Sequence, residues 1–418
     1  MKSPVVSADS KTVDRRVRFS LFGAFHSLAR RAVFSSLGKL EYGRITVVDD
    51  ALQYNFGTDG LRATVNVTNP LFYTDLAFGG SIGAAEAFMS GFWAVDDLTA
   101  LIRIIVRNRE AMTDLERGPA VIMKPIQALR HRRRRNTPRG SQGNIAAHYD
   151  LGNDFYGLWL DRTMTYSCNI FEREDSSLEE AAVSKYESIC RKLGLKASDR
   201  VLEIGSGWGG FAIHAAQNYG CKITTTTISR QQYEYARERI RDEGLSNRIE
   251  LLFEDYRELR GTYDKLASIE MIEAVGHHFL DTYLKVCSNR LKSDGLMALQ
   301  AIVIEDRAYE AQIRNPDFIK RYIFPGSFIP SISAITQAVA RNTDLRLFDL
   351  EDITPHYART LREWRKRFFH NIEAVRKLGF PESFIRLWEY YFCYCEGGFL
   401  ERYIGDVQMV FAKPGWRS

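Results

Sequence analysis

Short apolar runs alternate with helical patterns over the second half of the chain. We predict five strands from these runs, at Arg200–Ile204, Lys222–Ile228, Ile249–Phe253, Lys265–Ile269 and Leu296–Ile304. Their alternation with helices from Asn144 onward is typical of a parallel sheet covered by helices. Asp306–Phe369 interrupts the alternation with mixed helical and aromatic sequence, which predicts a cap, and Gly405–Phe411 predicts a final edge strand. Ligands of such sheets bind at the carboxyl ends of the strands.

The first 120 residues have a different pattern. An apolar stripe at helical spacing, which includes Leu21 and Leu28, is flanked by arginines and either packs in a core or lies on a membrane surface. Gly43–Asp75 has short alternating segments separated by turn signals, which predict a small antiparallel sheet. Gly79–Val106 then predicts helices. Together these elements predict a small α+β domain over residues 1–120 with no obvious chemistry.

The net charge of +5 is unevenly distributed along the chain. Residues 101–140 hold eleven lysines and arginines against three acidic residues, so this basic strip carries +8 and the rest of the chain −3. Such a strip is typical of binding to a polyanion, either an anionic membrane or a nucleic acid, although a solvated linker has the same composition. Because the strip contains the breaker-rich piece Thr137–Ser141, we predict a linker over 121–143 and a main domain over 144–418.

The composition argues against several classes of protein. The chain of 418 residues is long enough for two domains, and no run reaches the ~18 apolar residues that a transmembrane helix needs. Its six cysteines lack metal-binding spacing, so we expect reduced thiols of a cytosolic protein, and we find no secretory signal. His277 and His278 are adjacent and have no evident acidic partner, so we predict no metal site.

The segment Arg200–Phe211 carries the first chemical signal. A short apolar strand ends in a glycine-rich turn, with Gly205 and Gly207, and a helical pattern follows. Bare backbone in such a turn can approach a nucleotide-like ligand closely. No Lys-Ser/Thr pair follows, which argues against a phosphate-binding P-loop, and the strand Cys221–Ile228 lacks the acidic residue of an NAD site. S-adenosylmethionine is therefore the expected cofactor.

Eight segments in one order carry a resemblance to a known family. They are Asn144–Glu172, Val201–Ile213, Ile223–Gln232, Glu254–Leu259, Ile269–Gly276, Arg321–Gly326, His356–Trp364 and Tyr394–Phe399. Over residues 70–418 the chain resembles the cyclopropane-fatty-acid synthases, which are S-adenosylmethionine-dependent methyltransferases. The resemblance implies an α/β fold, with a Rossmann-like methyltransferase sheet and a helical cap insertion after the small α+β domain. It also implies methyl(ene) transfer to the double bond of an unsaturated phospholipid acyl chain, giving a cyclopropane fatty acid.

The resemblance also implies roles for individual residues. The residues matching the cofactor-binding segments are Tyr166, Ser167, Gly205, Gly207, Thr227, Ile228, Gln232, Asp255, Tyr256 and Arg257. In this family a bound bicarbonate ion is taken to be the base, and its cradle maps to Cys168, Glu273, Gln300, Ile302 and Tyr357. Cys395 matches a further cysteine that is sometimes assigned to the active site, although a neutral buried thiol is more often packing.

Reasoning from the residues agrees with this chemistry but leaves the product open. Methyl transfer to an alkene leaves a carbocation, which needs aromatic lining, exclusion of water and a base. We expect Glu273, at the end of an apolar strand, to hold that base. The pairs Glu273-Ala274 and Leu299-Gln300 differ from the enterobacterial pattern and match the branch that contains the plant enzymes' catalytic domain. Gln300 cannot carry a proton, so a methyl- or methylene-branched product is an alternative, as is a soluble small-molecule substrate.

The basic strip and the lipid chemistry together predict the partners. We expect an anionic phospholipid membrane surface and unsaturated acyl chains as partners, no nucleic acid, and a location in the cytoplasm at the inner face of the membrane. A homodimer is left open. Nucleic-acid binding through Arg130–Arg139 is the competing hypothesis, but no base-handling motif follows the fourth strand.

Overall fold

The computed structural model describes residues 26–110 and 151–417. The chain divides into two compact units, Met1–Pro125 and Ile126–Ser418. The predicted linker at 121–143 and most of the basic strip lie outside the described residues, as does the first part of the apolar stripe.

The first unit combines helices with a four-stranded sheet in its described part. Its elements are α1 (26–37), β1 (Arg44–Asp49), β2 (Leu52–Gly57), β3 (Arg62–Val67), α2 (Leu71–Met89), β4 (Trp93–Val95) and α3 (Leu98–Arg107). The strand order is β2-β1-β3-β4, with β1 and β3 parallel. The prediction of an antiparallel sheet is therefore wrong for the central pair. The turn after β2 returns to the start of β1, where Thr58 N donates a hydrogen bond to Gly43 O and Arg44 N donates one to Leu61 O. Strand β3 therefore begins beside the start of β1 and runs parallel to it.

The second unit has a longer series of strands and helices. Its elements are α4 (Asn153–Gly157), α5 (Leu178–Leu193), β5 (Arg200–Ile204), α6 (Gly210–Tyr219), β6 (Lys222–Thr226), α7 (Arg230–Asp242), β7 (Ile249–Leu252), β8 (Tyr263–Ile269), α8 (Leu280–Arg290), β9 (Leu291–Ile304), α9 (Asp306–Arg314), α10 (Ile332–Asn342), β10 (Arg346–Asp352), α11 (Thr354–His370), α12 (Ile372–Lys377), α13 (Glu382–Leu400) and β11 (Ile404–Ala412). Short 3-10 turns cover Tyr256–Glu258 and Ile272–Val275. All five strands predicted for the parallel sheet are present.

In the described part of the second unit, one seven-stranded sheet has the order β10-β11-β9-β8-β5-β6-β7. Strands β5 to β9 run parallel, and β11 pairs antiparallel with both β9 and β10. This is the Rossmann-like methyltransferase arrangement. The prediction of β11 as an edge strand is wrong, because β10 lies outside it. Strand β10 was not predicted, since every one of its residues is exposed and it has no apolar run.

Helices bury both faces of the sheet. Leu202 and Ile204 of β5 pack with residues of α8 and α10, whereas Val201 packs with residues of α5 and α6. Because successive side chains of a strand point to opposite faces, a strand buried on both sides reads as a continuous apolar run. The buried carboxyl of Glu203 is the exception in β5.

The segment predicted as a cap, Asp306–Phe369, contains helices α9, α10 and α11, but its α10 packs against the sheet and its β10 extends the sheet. Helix α11 of this segment packs against α13, and the ring of Tyr357 stacks on that of Phe399 with centroids 4.3 Å apart. In the part of the chain that the structure describes, no helix combines the length and apolar character needed to cross a membrane.

Candidate active site

The glycine-rich turn lies where β5 ends, next to the end of β6. The backbone nitrogens of Gly205 and Ser206 both donate to the carbonyl of Thr226, at 3.1 and 2.8 Å, which ties the two strand ends together. Gly205 has φ 94° and Gly207 has φ 49°, both in the region that favours glycine. A Cβ on Gly205 would lie 2.9 Å from Met271 Cγ, whereas one on Gly207 would meet no described protein atom within 4 Å. Backbone at Gly207 is thus open to a ligand.

A pocket opens above this turn. Nine of the ten residues predicted to bind the cofactor line it: Tyr166, Ser167, Gly205, Gly207, Thr227, Ile228, Gln232, Asp255 and Tyr256. Arg257 does not line the pocket. Its guanidinium makes a bidentate contact with the Asp255 carboxylate, with two distances of 2.7 Å. Arg257 therefore orients Asp255 at the pocket wall. The hydroxyl of Tyr256 is buried and has no hydrogen-bond partner in the described chain, so a polar ligand group would satisfy it.

Two buried charged groups line the same pocket, and we did not predict either as a site residue. Lys185 Nζ on α5 donates to Ser167 Oγ at 2.9 Å, and burial lowers the pKa of Lys185 to about 8. Burial raises the pKa of Glu203 to about 7, although Thr225 Oγ1 donates to its carboxyl at 2.5 Å. The available signal for Lys185 was its place on an otherwise apolar face of α5, beside Ala181, Ala182 and Ile189.

Glu270, directly after β8, is the centre of a second group of residues beside the pocket. Its Oε1 accepts hydrogen bonds from Cys168 N at 2.7 Å and Gln300 Nε2 at 2.8 Å. Its Oε2 accepts from the Tyr357 hydroxyl at 2.6 Å. Glu270 lines the pocket and adopts a left-handed backbone conformation, with φ 49°. The structure thus brings Cys168, Gln300 and Tyr357 together, as predicted, but around a carboxylate that sequence reasoning missed.

Glu273 lies in a different position from the one predicted. It is in the 3-10 turn that follows β8, so it is not at the strand end, where Glu270 lies instead. Its Oε1 accepts a hydrogen bond of 2.6 Å from Ile302 N, and its Oε2 is buried without a partner in the described chain. Burial and the neighbouring Glu270 raise the pKa of Glu273 well above its ordinary value. The Glu273 carboxyl group is therefore held by the backbone of Ile302 in surroundings that disfavour its ionised form.

Asp406 of β11 is a third carboxyl group in this cluster. Gln300 Nε2 lies 3.3 Å from its Oδ2. Burial and the Glu270 carboxylate raise the pKa of Asp406 well above its ordinary value. Like charges at close range disfavour one another, so burial and Glu270 together oppose the ionised forms of Asp406 and Glu273.

These contacts decide whether a bicarbonate ion fits the predicted cradle. Cys168 N, Gln300 Nε2 and the Tyr357 hydroxyl are the donors that would hold the anion, and all three are directed at the Glu270 carboxylate. The residues present therefore do not fit a separate anion at this point. By contrast, the pocket residues fit S-adenosylmethionine. The carboxyl groups of Glu203 and Asp255, and the Tyr256 hydroxyl, which has no partner among the described residues, offer hydrogen-bond partners for its polar groups.

An aromatic wall borders the pocket at Tyr166. The Tyr166 ring lies 5.3 Å from the rings of Trp159 and Trp364, and its hydroxyl donates to that of Tyr391 at 3.1 Å. Aromatic ring faces stabilise positive charge, most strongly where water is excluded. Cys395 on α13 does not line this pocket, and burial raises the pKa of its thiol, which keeps it neutral.

Comparison with known proteins adds to this geometry. The family model for mycolic acid cyclopropane synthetase matches residues 136–409. The chain is 35% identical over 344 residues to a tuberculostearic acid methyltransferase of Mycobacterium tuberculosis, covering 80% of each chain. It is 33% identical over 353 residues to a cyclopropane-fatty-acyl-phospholipid synthase of Escherichia coli, covering 84% of this chain and 88% of that one.

Solved structures agree with these sequence relatives. A cyclopropane synthase from Mycobacterium tuberculosis matches with a TM-score of 0.60 and 29% identity, over 65% of this chain and 98% of that one. A mycolic acid cyclopropane synthase in complex with S-adenosylhomocysteine matches with the same TM-score and 28% identity, over the same shares of the two chains. The chain therefore belongs to the mycolic acid cyclopropane synthetase family and is a methyltransferase of the cyclopropane synthase type that uses S-adenosylmethionine.

Proposed function

We propose that this enzyme transfers a methyl group to the double bond of an unsaturated phospholipid acyl chain and closes it to a cyclopropane ring. The observation that carries the proposal is the meeting of three features at one pocket: the open glycine turn, the Tyr166 aromatic wall and the Glu270 carboxylate. Oxygen and nitrogen methylation need no cation-stabilising wall, whereas alkene alkylation does. The similarity to a cyclopropane-fatty-acyl-phospholipid synthase supports the lipid substrate.

The residues of the pocket have separate tasks in this reaction. S-adenosylmethionine supplies an electrophilic methyl group when bound. The turn at Gly207 admits it close to backbone, and Asp255 and Gln232 lie where they can orient it. The rings of Tyr166 and Trp364 shield a cation on the acyl chain from water.

The product and the substrate each have an alternative. A methyl- or methylene-branched chain forms if the cation loses a different proton, and the similarity to a tuberculostearic acid methyltransferase favours keeping this alternative. A soluble small molecule is the alternative substrate. The basic strip favours the lipid, because arginines near an anionic surface contribute about 1 kcal/mol each to binding.

Membrane association is part of the proposal. We expect the basic strip to bring the enzyme to the inner face of an anionic membrane, with the acyl chain as its partner and no role for nucleic acid. The proposal leaves the oligomeric state open, and a homodimer is compatible with it. Sedimentation with anionic vesicles and with duplex DNA separates the two polyanions, and DNA binding alone would count against the lipid.

One labelling experiment tests the function. The purified protein is incubated with S-adenosylmethionine carrying a ¹³C methyl group and vesicles of a monounsaturated phospholipid. Carbon NMR of the extracted lipid distinguishes a ring methylene from a terminal methylene or a methyl branch. We expect a labelled ring carbon with the unsaturated lipid and no label with a fully saturated one. Label in neither lipid would contradict the proposal, and a branched product would replace the cyclopropane with the alternative.

A further inference from the structure

We propose that Glu270 is the base of this reaction, built into the chain, and that the enzyme needs no bound bicarbonate. The proposal rests on the function proposed above for its chemical step. Its basis is the contact set of one carboxylate, which occupies the place where an external anion was expected.

The donors around Glu270 come from three separate parts of the fold. Cys168 precedes α5, Gln300 is on β9, and Tyr357 is on α11 of the cap. Their hydrogen bonds to the two Glu270 oxygens measure 2.6 to 2.8 Å. Donors that converge from distant segments build an anion site, and here the anion is a side chain of the same protein. A carboxylate held in this way has both oxygens fixed in direction.

The backbone at Glu270 supports a functional reason for a glutamate there. Its φ of 49° is left-handed, which costs an ordinary residue about 1 to 2 kcal/mol and a glycine almost nothing. Strained residues are retained where the surrounding structure fixes them, and they concentrate at active sites. A glycine at this position would remove the carboxyl group that the three donors hold, and the donors would then be available to a small anion.

Among the three carboxyl groups of the cluster, Glu270 alone lines the described pocket. Glu273 is held by the backbone nitrogen of Ile302, and the Asp406 carboxyl group on β11 accepts a hydrogen bond from Gln300 Nε2. Glu270 also lies next to Met271 and Ala274, which line the same pocket. It is therefore the carboxylate that can reach the transferred methyl group.

The step balances without a further reactant. The π electrons of the alkene form a bond to the methyl carbon while the sulfur–carbon bond of S-adenosylmethionine breaks, which leaves S-adenosylhomocysteine and a carbocation. A Glu270 oxygen takes one proton from the new methyl group. The electron pair of that carbon–hydrogen bond forms the second ring bond, and the proton on Glu270 is later released to solvent.

The variant Glu270→Gly tests the assignment because it removes the carboxylate and relaxes the backbone. In bicarbonate-free buffer we expect it to form product on the order of 10²-fold more slowly than the unaltered enzyme. Added bicarbonate should restore much of that loss, because it can enter the vacated cradle. The unaltered enzyme should work equally well with and without bicarbonate. Glu270→Gln should be as slow, and bicarbonate should not rescue it, because its side chain still fills the cradle.

A binding measurement gives a readout that does not depend on turnover. Carbon NMR with ¹³C-bicarbonate should show binding to Glu270→Gly and none to the unaltered protein. Calorimetry with S-adenosylmethionine should give affinities within a few-fold of each other, which also shows that the variants are folded. Asp50→Gly is the matched control, since it relaxes a left-handed residue, with φ 53°, in an exposed turn of the first unit.

The outcomes separate this inference from the proposed function. If the unaltered enzyme forms no product from any lipid, the proposed function fails, whatever bicarbonate does. If it forms product only with bicarbonate, or if Glu270→Gln keeps full activity, Glu270 is not the base. Should Glu270→Gly not fold, the Gln variant and the bicarbonate dependence of the unaltered enzyme still decide the question.

Discussion

The buried carboxyl group of Glu203 makes a quantitative prediction about stability. Its side chain is 2% exposed at the end of β5, and burial raises its pKa from the ordinary 4.5 to about 7. Replacing Glu203 by Gln keeps the shape of the side chain and its hydrogen-bonding partner Thr225, and removes the charge. The effect of this change on the free energy of unfolding must therefore depend on pH.

The sign follows from where the proton is bound more tightly. The folded protein holds the Glu203 proton up to about pH 7, whereas the unfolded chain releases it near pH 4.5. The folded state therefore loses stability as the pH rises from 4.5 to about 7, and the loss is complete above that. The two pKa values correspond to about 3 kcal/mol in total, of which about 2.5 kcal/mol is lost between about pH 5 and about pH 8.5.

We therefore expect Glu203→Gln to raise the free energy of unfolding by about 2.5 kcal/mol more at about pH 8.5 than at about pH 5. Urea unfolding followed by tryptophan fluorescence measures this, because five of the six tryptophans lie in the second unit. Glu238→Gln on the exposed face of α7 is the control. Its side chain is exposed, so its replacement should change the free energy of unfolding little at either pH value. An equal effect of Glu203→Gln at the two pH values would refute the reasoning.

Three further changes test other parts of the molecule. Gly205→Ala should lower the free energy of unfolding by about 1 to 3 kcal/mol in urea titrations, because φ 94° strains an alanine and the Met271 side chain must move. An unchanged free energy of unfolding would contradict the close contact between Gly205 and Met271. Gly207→Ala should lower it by only about 1 kcal/mol but weaken S-adenosylmethionine binding in calorimetry, since its Cβ meets no protein atom; unchanged affinity would exclude Gly207 from the site. Replacing the arginines 132–135 by glutamine should weaken sedimentation with anionic vesicles, and salt should weaken it in the unaltered protein; if neither matters, the strip is a solvated linker.

The three carboxyl groups of the cluster, Glu270, Glu273 and Asp406, differ in their surroundings. Burial and the nearby carboxyl group of Glu270 raise the pKa of both Asp406 and Glu273, which disfavours their ionised forms. Glu270 lines the pocket, so a negative charge on its carboxyl group would face the substrate. The same low dielectric that makes further ionisation costly strengthens the interaction of that charge with a cation on the substrate.

The sequence by itself determined the sheet and the position of the pocket. Strand β5 is buried on both faces from Val201 to Ile204, so it reads as a nearly continuous apolar run, and the glycine turn at Gly205 needs a backbone that other residues rarely adopt. These requirements are local, so a short stretch of consecutive residues is enough to recognise them. The predicted cofactor residues came from the resemblance to a known family, and that resemblance also rests on short continuous segments of sequence.

Only the tertiary structure decided which residues meet in the cluster and which strand lies at the edge. Strand β10 is exposed throughout and forms its strand hydrogen bonds with β11, so its own sequence has no burial pattern from which a strand could be predicted. Glu270 reads as an ordinary acid after a strand, and its surroundings come from residues 30 to 102 positions away along the chain. The function of a carboxyl group depends on its donors, its burial and its neighbours' charges, and these arise only when distant segments pack together.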